Sequence, residues 1–287
     1  MKHIQLMIGS LMLFGLTACQ TPKIVTEQQQ VQQKSLQVDG KIYAAFFQQR
    51  AAEYQALSQQ AYNVAKMRLD EAIAKKGAKP LAIVTDIDET FLDNSYYAVE
   101  MARQGKTWSQ ETWANWTSKG IATPLAGSLD FFQYAASRGV QIFYVTNRYE
   151  VERPGTLANL EKYNYPIQSA QNLILRSKES SKEARRQNIS KDYDIVLLLG
   201  DSLTDFSSLF DNHKSEKERA AAVETLKSEF GKRFIVLPNV GYGDWESAIF
   251  DYKTVKDAKR EFNRLYNQLD FLPEEVAKFV KNLKIDF

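Results

Sequence analysis

An apolar run that leads directly into two closely spaced carboxylates constrains this chain more than any other stretch. Residues 81–84 have the composition of a buried strand, and Asp86 and Asp88 follow them with one residue between. An uncompensated buried charge is costly, so a buried strand seldom ends in unpaired acids. At the carboxyl end of a parallel strand, both acids can reach the crevice in which open α/β sheets place their sites. The alternative, on these residues alone, is an acidic turn in which Asp88 caps the next helix.

Further apolar runs later in the chain have the same form and lead into polar residues, in two cases after a single glycine or proline. They are residues 140–146, 172–175, 195–199 and 234–237. Helix-like stretches accompany them, at residues 129–138, 153–163, 182–188 and 220–230. Strands that alternate with helices predict an α/β fold with a parallel sheet covered by helices on both faces. The polar strand ends predict that the functional site lies at the carboxyl edge of this sheet.

Residues 36–76 precede the first strand and have apolar positions three and four apart. The spacing predicts one long helix or two consecutive helices that pack on the core, ended by Gly77 and Pro80. One face of these helices could form a dimer interface or could simply cover the core, so the sequence leaves a homodimer open. Residues 255–287 also have a helical, charged pattern, and we assign them no role.

Composition excludes several classes of partner and site. The net charge is +2 over 287 residues and no basic run is long, so no nucleic-acid partner is expected. The chain has two histidines, His3 and His213, and one cysteine, Cys19, which gives no cluster suited to zinc. His213 lies in a polar stretch and is expected at the surface.

The N-terminus has the pattern of an export signal. A short basic start is followed by an apolar run at residues 4–16, which is too short to be a comfortable membrane span. Small residues then precede Cys19, which resembles the bacterial lipoprotein processing box, where cleavage precedes the cysteine and lipid is attached to it. A lone cysteine makes no internal disulfide, so acylation, for example with palmitate, explains it better than an ordinary signal with an incidental cysteine.

These features predict the organisation of the chain. We expect a signal peptide at residues 1–18, a lipidated flexible tether at 19–37 and a globular domain at 38–287. Several acyl chains would give a stable membrane anchor. In bacteria with two membranes, a residue other than Asp after the cysteine, here Gln20, favours an outer-membrane lipoprotein.

The residues at the strand ends form a set that suits phosphoryl transfer. Carboxylates are ligands for Mg²⁺, whereas a hydroxyl, an amide and an ammonium can hold phosphate oxygens. The set comprises Asp86, Asp88, Thr146, Asn147, Lys182, Asp201 and Asp205.

The order of these pieces resembles the haloacid dehalogenase (HAD) superfamily. Its D-x-D-x-T motif is matched by residues 86–90, its strand-ending Ser or Thr by Thr146, its lysine by Lys182 and its G-D-x-x-x-D motif by residues 200–205. Lys178 competes with Lys182, but Lys182 opens a helix-like K-x-x-R segment, whereas Lys178 lies in a polar loop. The resemblance implies a Rossmann-like parallel sheet flanked by helices. Residues 93–127 separate the first two motifs and are expected to form a small helical cap insertion over the active edge.

Residues 86–95, 145–148, 200–201 and 237–246 narrow the resemblance to class C bacterial acid phosphatases, the lipoprotein e family of 5′-nucleotidases. This resemblance implies that Asp86 attacks phosphorus and that Asp88 serves as acid and base. It implies Mg²⁺ held by Asp86, the backbone carbonyl of Asp88 and Asp201, with Asp205 in or next to that shell. Thr146, Asn147 and Lys182 would hold the phosphoryl oxygens.

Aromatic residues in two segments suggest how a substrate is selected. In the class C family two aromatics sandwich the nucleobase, and the matching positions are Trp113 and Tyr242, although ordinary packing is the alternative. We expect Trp116 and Trp245 to be packing residues.

The sequence thus predicts a phosphomonoesterase that uses Mg²⁺ and hydrolyses nucleoside 5′-monophosphates or nicotinamide mononucleotide at the cell envelope. A broad acid phosphatase is one alternative. A non-catalytic binding or adhesion lipoprotein on the same fold is the other.

Overall fold

The computed structural model of the protein describes residues 36–75 and 77–253. The signal peptide predicted at 1–18, the lipidation site Cys19, most of the tether and the C-terminal helical segment lie outside the described residues. The strands are β1 Leu81–Thr85, β2 Leu92–Asp93, β3 Thr123–Pro124, β4 Gln141–Tyr149, β5 Leu173–Arg176, β6 Asp194–Gly200 and β7 Phe234–Val236. The helices are α1 Leu36–Arg50, α2 Ala52–Lys75, α3 Ser95–Arg103, α4 Gln110–Thr117, α5 Ser128–Ser137, α6 Arg153–Lys162, α7 Glu183–Asp192, α8 Glu216–Leu226 and α9 Asp244–Ile249.

The predicted apolar runs form one parallel sheet with the order β5-β4-β1-β6-β7. Strand β1 lies in the centre, where Ala82 pairs with Gln141 of β4 and with Ile195 of β6. This arrangement confirms the predicted α/β fold class. It also brings the ends of β1, β4 and β6 side by side at one edge.

Side chains of the central strands alternate between two separate cores, as the period of two in a strand requires. Ile83 packs in one core with α2 and α5, whereas Ala82 and Val84 pack in the other with Ile189 of α7. All of these β1 side chains are buried, and each large aliphatic one contributes about 1.5–3 kcal/mol. Helices therefore cover both faces, and within residues 36–75 and 77–253 the sheet is left open to ligands at its edges.

The helical segment at 36–76 forms two consecutive helices, α1 and α2, that join at Ala51. The buried face of α2 includes Tyr62 and Leu69. The Tyr62 hydroxyl donates a hydrogen bond of 2.6 Å to the backbone carbonyl of Thr90. Helix α2 thus holds the loop that follows β1 from beneath.

The segment between β1 and α5 carries two helices, α3 and α4. A two-stranded antiparallel pair, with Leu92 opposite Pro124, closes its base. Tyr97, Met101 and Trp113 form its own small core. The sequence did not reveal β2 and β3, because strands of two residues are too short to show a periodicity. Among the described residues, no helix has the length and apolar character needed to cross a membrane.

Candidate active site

The carboxyl ends of β1 and β6 bring three aspartates together. One oxygen each of Asp86, Asp201 and Asp205 lies within 4.8 Å of the others. Asp86 follows β1 directly, and its N–H donates to the Leu199 carbonyl of β6 at 3.0 Å. Burial raises the pKa of Asp86 to about 7, against the lowering effect of Lys182. Burial and then the charges of Asp205 and Asp86 also raise the pKa of Asp201.

Three clustered carboxylates that are costly to ionise together suit a divalent cation, since its charge would offset both the burial and their repulsion. Their oxygens are hard ligands of the kind that Mg²⁺ prefers. The donor set therefore fits the metal that the sequence predicts. The carboxylate of Asp88 is not part of this trio.

Gly200 makes room for one member of the cluster. A Cβ at this position would lie 2.3 Å from Oδ2 and 2.4 Å from Cβ of Asp205. The turn is completed by a hydrogen bond of 3.1 Å from the Ser202 N–H to Asp205 Oδ2. The glycine of the G-D-x-x-x-D motif is thus required by close packing of the aspartate side chain.

Lys182 lies at the start of α7 and joins two of the aspartates. Its Nζ contacts Oδ1 of Asp86 and lies 2.6 Å from Oδ1 of Asp205. Burial alone would lower the pKa of Lys182, but the carboxylates of Asp205 and Asp86 outweigh it and hold the pKa above its ordinary value. Lys178, the competing lysine, is exposed. The geometry thus supports the choice of Lys182.

Asp88 points to a different partner, Arg148 of β4. Arg148 Nη2 donates to Asp88 Oδ1 at 2.6 Å, and its Nε donates to Oδ2 at 3.1 Å. Asn94 Nδ2 also donates to Asp88 Oδ1, at 2.9 Å, and Trp116 Nε1 donates to Asn94 Oδ1 at 2.7 Å. A chain of hydrogen bonds therefore runs from the inserted helices to Asp88.

Thr146 and Asn147 lie at the end of β4, next to Arg148. Thr146 is buried, and its Oγ1 accepts a hydrogen bond of 3.1 Å from the Arg148 N–H. Arg185 of α7 donates to the Thr146 carbonyl at 2.7 Å and to Asn147 Oδ1 at 2.8 Å. The K-x-x-R segment thus contributes both a lysine to the aspartates and an arginine that anchors the end of β4.

A cleft of about 1260 Å³ opens above this edge of the sheet and is lined by both predicted aromatic residues. Trp113 packs edge-to-face on Tyr97 with ring centroids 5.1 Å apart. The Tyr242 hydroxyl donates to the carboxylate of Glu89. Trp116 and Trp245 are not among the lining residues, and Trp245 is exposed. His213 is exposed as well and stacks on Tyr252.

Sequence reasoning assigned no role to four residues of this site: Arg148, Asn94, Glu89 and Asn239. Glu89 is buried, has a positive φ of 53° and accepts from the Asn94 N–H at 2.7 Å. Burial and then the charge of Asp88 raise the pKa of Glu89 to about 8. Asn239 donates to Asp201 Oδ2 at 2.7 Å. All four stand inside the quoted motifs, so their position was a signal, but their partners come from distant parts of the chain.

The sequence matches the HAD superfamily, subfamily IIIB (acid phosphatase), over residues 6–245. The chain belongs to this family. It is also similar to the solved class C acid phosphatase from Bacillus anthracis, with 38% identity and a TM-score of 0.75, over 80% of this chain and 97% of that one. A second structure of that class C enzyme, with tungstate bound, matches with 39% identity and a TM-score of 0.75, over 80% of this chain and 96% of that one.

Membership of this family makes the chain a HAD phosphatase of class C, a phosphoric monoester hydrolase. HAD phosphatases generally use a divalent metal, and the trio of aspartates is where this chain offers one a place. The predicted family and enzyme class are confirmed.

Proposed function

We propose that this phosphatase uses Mg²⁺ to hydrolyse nucleoside 5′-monophosphates or nicotinamide mononucleotide outside the cytoplasm. The observation that carries the proposal is the position of Asp86. It lies in the aspartate trio beside Lys182 and also lines a cleft that contains Trp113 and Tyr242. At about 1260 Å³, the cleft exceeds the roughly 300–1,000 Å³ of typical small-ligand pockets.

In the proposed mechanism, Asp86 attacks phosphorus and the phosphoryl group moves from the leaving oxygen to the Asp86 carboxylate. Asp88 gives its proton to the leaving alcohol and then takes one from the water that hydrolyses the phosphoaspartate. Arg148 and Asn94 orient Asp88 for both steps.

The remaining residues of the site would bind the phosphoryl group and the metal ion. Lys182, Thr146 and Asn147 would hold the phosphoryl oxygens as negative charge develops. Asp86, Asp201 and Asp205 would hold Mg²⁺, which would supply positive charge beside the phosphoryl group. The carbonyl of Asp88 is proposed as a further ligand. Tungstate is a tetrahedral oxyanion like phosphate, and its presence in the Bacillus anthracis enzyme supports an oxyanion site here.

Substrate choice is assigned to the aromatic residues. Stacking of a base on Trp113 and Tyr242 would contribute about 1–3 kcal/mol per ring. A broad acid phosphatase without a base preference is the second candidate, and the size of the cleft favours it.

A substrate panel tests the proposal, using protein that lacks residues 1–19. The panel contains nucleoside 5′-monophosphates, nicotinamide mononucleotide, glycerol phosphate and 4-nitrophenyl phosphate, each with Mg²⁺ and with EDTA. Preference for the nucleotides and loss of activity in EDTA are expected. Equal kcat/KM across the panel would favour the broad phosphatase, and full activity after chelation would contradict the metal. Asp86→Asn should abolish phosphate release, and unchanged turnover would sink the mechanism.

The envelope location is a separate proposal that rests on the leader sequence. We propose that residues 1–18 are removed and that Cys19 carries lipid, so that the enzyme is an outer-membrane lipoprotein. Labelling cells with radioactive palmitate should mark the wild-type protein and leave Cys19→Ala unlabelled. Equal labelling of the two proteins would disprove lipidation at Cys19.

A further inference from the structure

Helix α1 lies along the substrate cleft, although it precedes all four of the sequence motifs. Val38, Lys41, Ala45 and Gln48 of this helix line the cleft together with Asp86. Covering a core does not require such a position. The polar side chains of α1 therefore need a separate explanation.

One group of α1 contacts reaches residues 239–246, a loop that carries Tyr242 and continues into the first turn of α9. Lys41 Nζ donates to the Gly241 carbonyl at 2.8 Å and forms an ion pair with Glu246 at 3.0 Å. The two charged side chains are only 17% and 18% exposed, so solvent screens the pair less than it screens a surface pair. At its other end the same loop is held by Asn239, which bonds to Asp201.

The other group of contacts reaches the base of the inserted helices. Gln48 Nε2 donates to Asp93 Oδ1 at 2.7 Å in a buried bond, and Gln49 Nε2 donates to Ser95 Oγ at 2.7 Å. Asp93 Oδ1 also accepts from the Ser95 N–H at 2.8 Å, at the start of α3. Helix α1 thus forms hydrogen bonds with both walls of the cleft. One wall is formed by the inserted helices, which carry Trp113, and the other by the segment that carries Tyr242.

We propose that α1 is a strap that fixes the distance between the two walls of the cleft, and that Lys41 is the positioning residue for the Tyr242 loop. Lys41 acts through Gly241 and Glu246. Its loss would free the loop to move and weaken the grip on any substrate with a ring between the walls. The choice of ring-bearing substrates rests on the proposed function, whereas the fixing of the loop does not.

Lys41→Met removes the ammonium and keeps most of the apolar stem. For a nucleoside 5′-monophosphate we expect KM to rise about twofold to fivefold, as the loss of one partly exposed ion pair predicts. KM for glycerol phosphate should rise much less, so the ratio of the two KM values is the readout. Hydrogen exchange of the amides at 239–246, measured without substrate, should become faster. A KM ratio equal to that of the wild type would overturn the role in selection.

A charge reversal separates a specific pair from general damage. Lys41→Glu should raise the KM ratio, and adding Glu246→Lys should restore part of the loss, since the ion pair re-forms while the bond to Gly241 does not. No recovery in the double variant would contradict the pair. The matched control is Lys79→Met, because Lys79 Nζ also donates to a backbone carbonyl, that of Ser190 at 2.8 Å, but does not line the cleft. It should leave both KM values and the exchange unchanged.

The two proposals fail in different ways. If wild-type protein shows no preference for ring-bearing esters, the proposed substrate class is wrong. Hydrogen exchange of the amides at 239–246 then tests independently whether α1 holds this loop in place. Faster exchange in Lys41→Met, but not in Lys79→Met, would then support the strap. Unchanged exchange in Lys41→Met would overturn it.

Discussion

Arg148 holds the carboxylate of Asp88 at two points, through Nη2 at 2.6 Å and Nε at 3.1 Å. The arginine is fully buried, and its Nη1 donates a further bond of 3.0 Å to Thr156 Oγ1. A planar guanidinium with three fixed bonds allows Asp88 few orientations. The orientation of Asp88, the proposed acid and base, is thus fixed by an arginine on β4, the strand beside β1 in the sheet.

Replacing Arg148 with lysine tests this orientation. Lysine keeps the charge but cannot make the two-point bond, so we expect kcat to fall by about tenfold or more. KM and the affinity for Mg²⁺ should change little, because the aspartate trio is untouched. Steady-state kinetics and metal titration measure the two effects. A normal kcat in Arg148→Lys would show that catalysis does not depend on Arg148 to orient Asp88.

Gly200→Ala should damage the metal site by displacing Asp205. The new Cβ would meet the Asp205 side chain at 2.3–2.4 Å, and overpacking of this kind costs about 1–3 kcal/mol. Thermal unfolding and Mg²⁺ titration should both show a loss. Gly40→Ala is the matched control, because nothing lies within 4 Å of its added Cβ and alanine favours the helix. A stable Gly200→Ala protein with normal Mg²⁺ affinity would refute the packing role of Gly200.

Asp201→Asn should remove the response of stability to Mg²⁺. For the wild-type protein, Mg²⁺ at a hundred times its Kd should add about 2.7 kcal/mol to the free energy of unfolding. The variant should lose most of this gain. Without metal it should unfold no earlier than the wild type, because it relieves a buried carboxylate whose pKa burial raises.

The control for Asp201→Asn lies at the opposite end of β6, the strand that Asp201 directly follows. Asp194→Asn changes an exposed carboxylate and should keep the full response to Mg²⁺. Melting curves of all three proteins, with Mg²⁺ and with EDTA, make the comparison. An undiminished shift in Asp201→Asn would place the metal elsewhere.

Two variants at Tyr242 separate its ring from its hydroxyl. Tyr242→Ala removes both. The kcat/KM for nucleotides should fall by the factor that corresponds to about 1–3 kcal/mol of lost stacking free energy, with a much smaller loss for glycerol phosphate. Tyr242→Phe keeps the ring and loses only the bond to Glu89, so its loss should be smaller. The parallel variant Trp113→Ala should also impair nucleotides most. Equal losses on the ring-bearing and the ring-less ester would make the stacking role wrong.

The parallel sheet and the edge that carries the site could be predicted from local patterns alone. An apolar run of four to seven residues that leads into a polar group is a property of one segment, and the five runs formed the five strands of the parallel sheet. The short pair β2–β3 and helix α9 were missed, because two to six residues give too little periodicity to detect. The choice of Lys182 over Lys178 was also local, since it rested on the start of a helix.

The sequence by itself determined the family, the parallel sheet and the aspartates at its edge, because these follow from motifs and from the alternation of apolar residues within short segments. Only the tertiary structure decided that Arg148 and Asn94 hold Asp88, that Glu89 meets Tyr242 and that Lys41 reaches Glu246, 205 residues further along the chain. Each of these is a hydrogen bond between polar groups that packing has brought together. Hydrogen bonds depend on distance and direction over a few tenths of an ångström, and no spacing along a sequence specifies that.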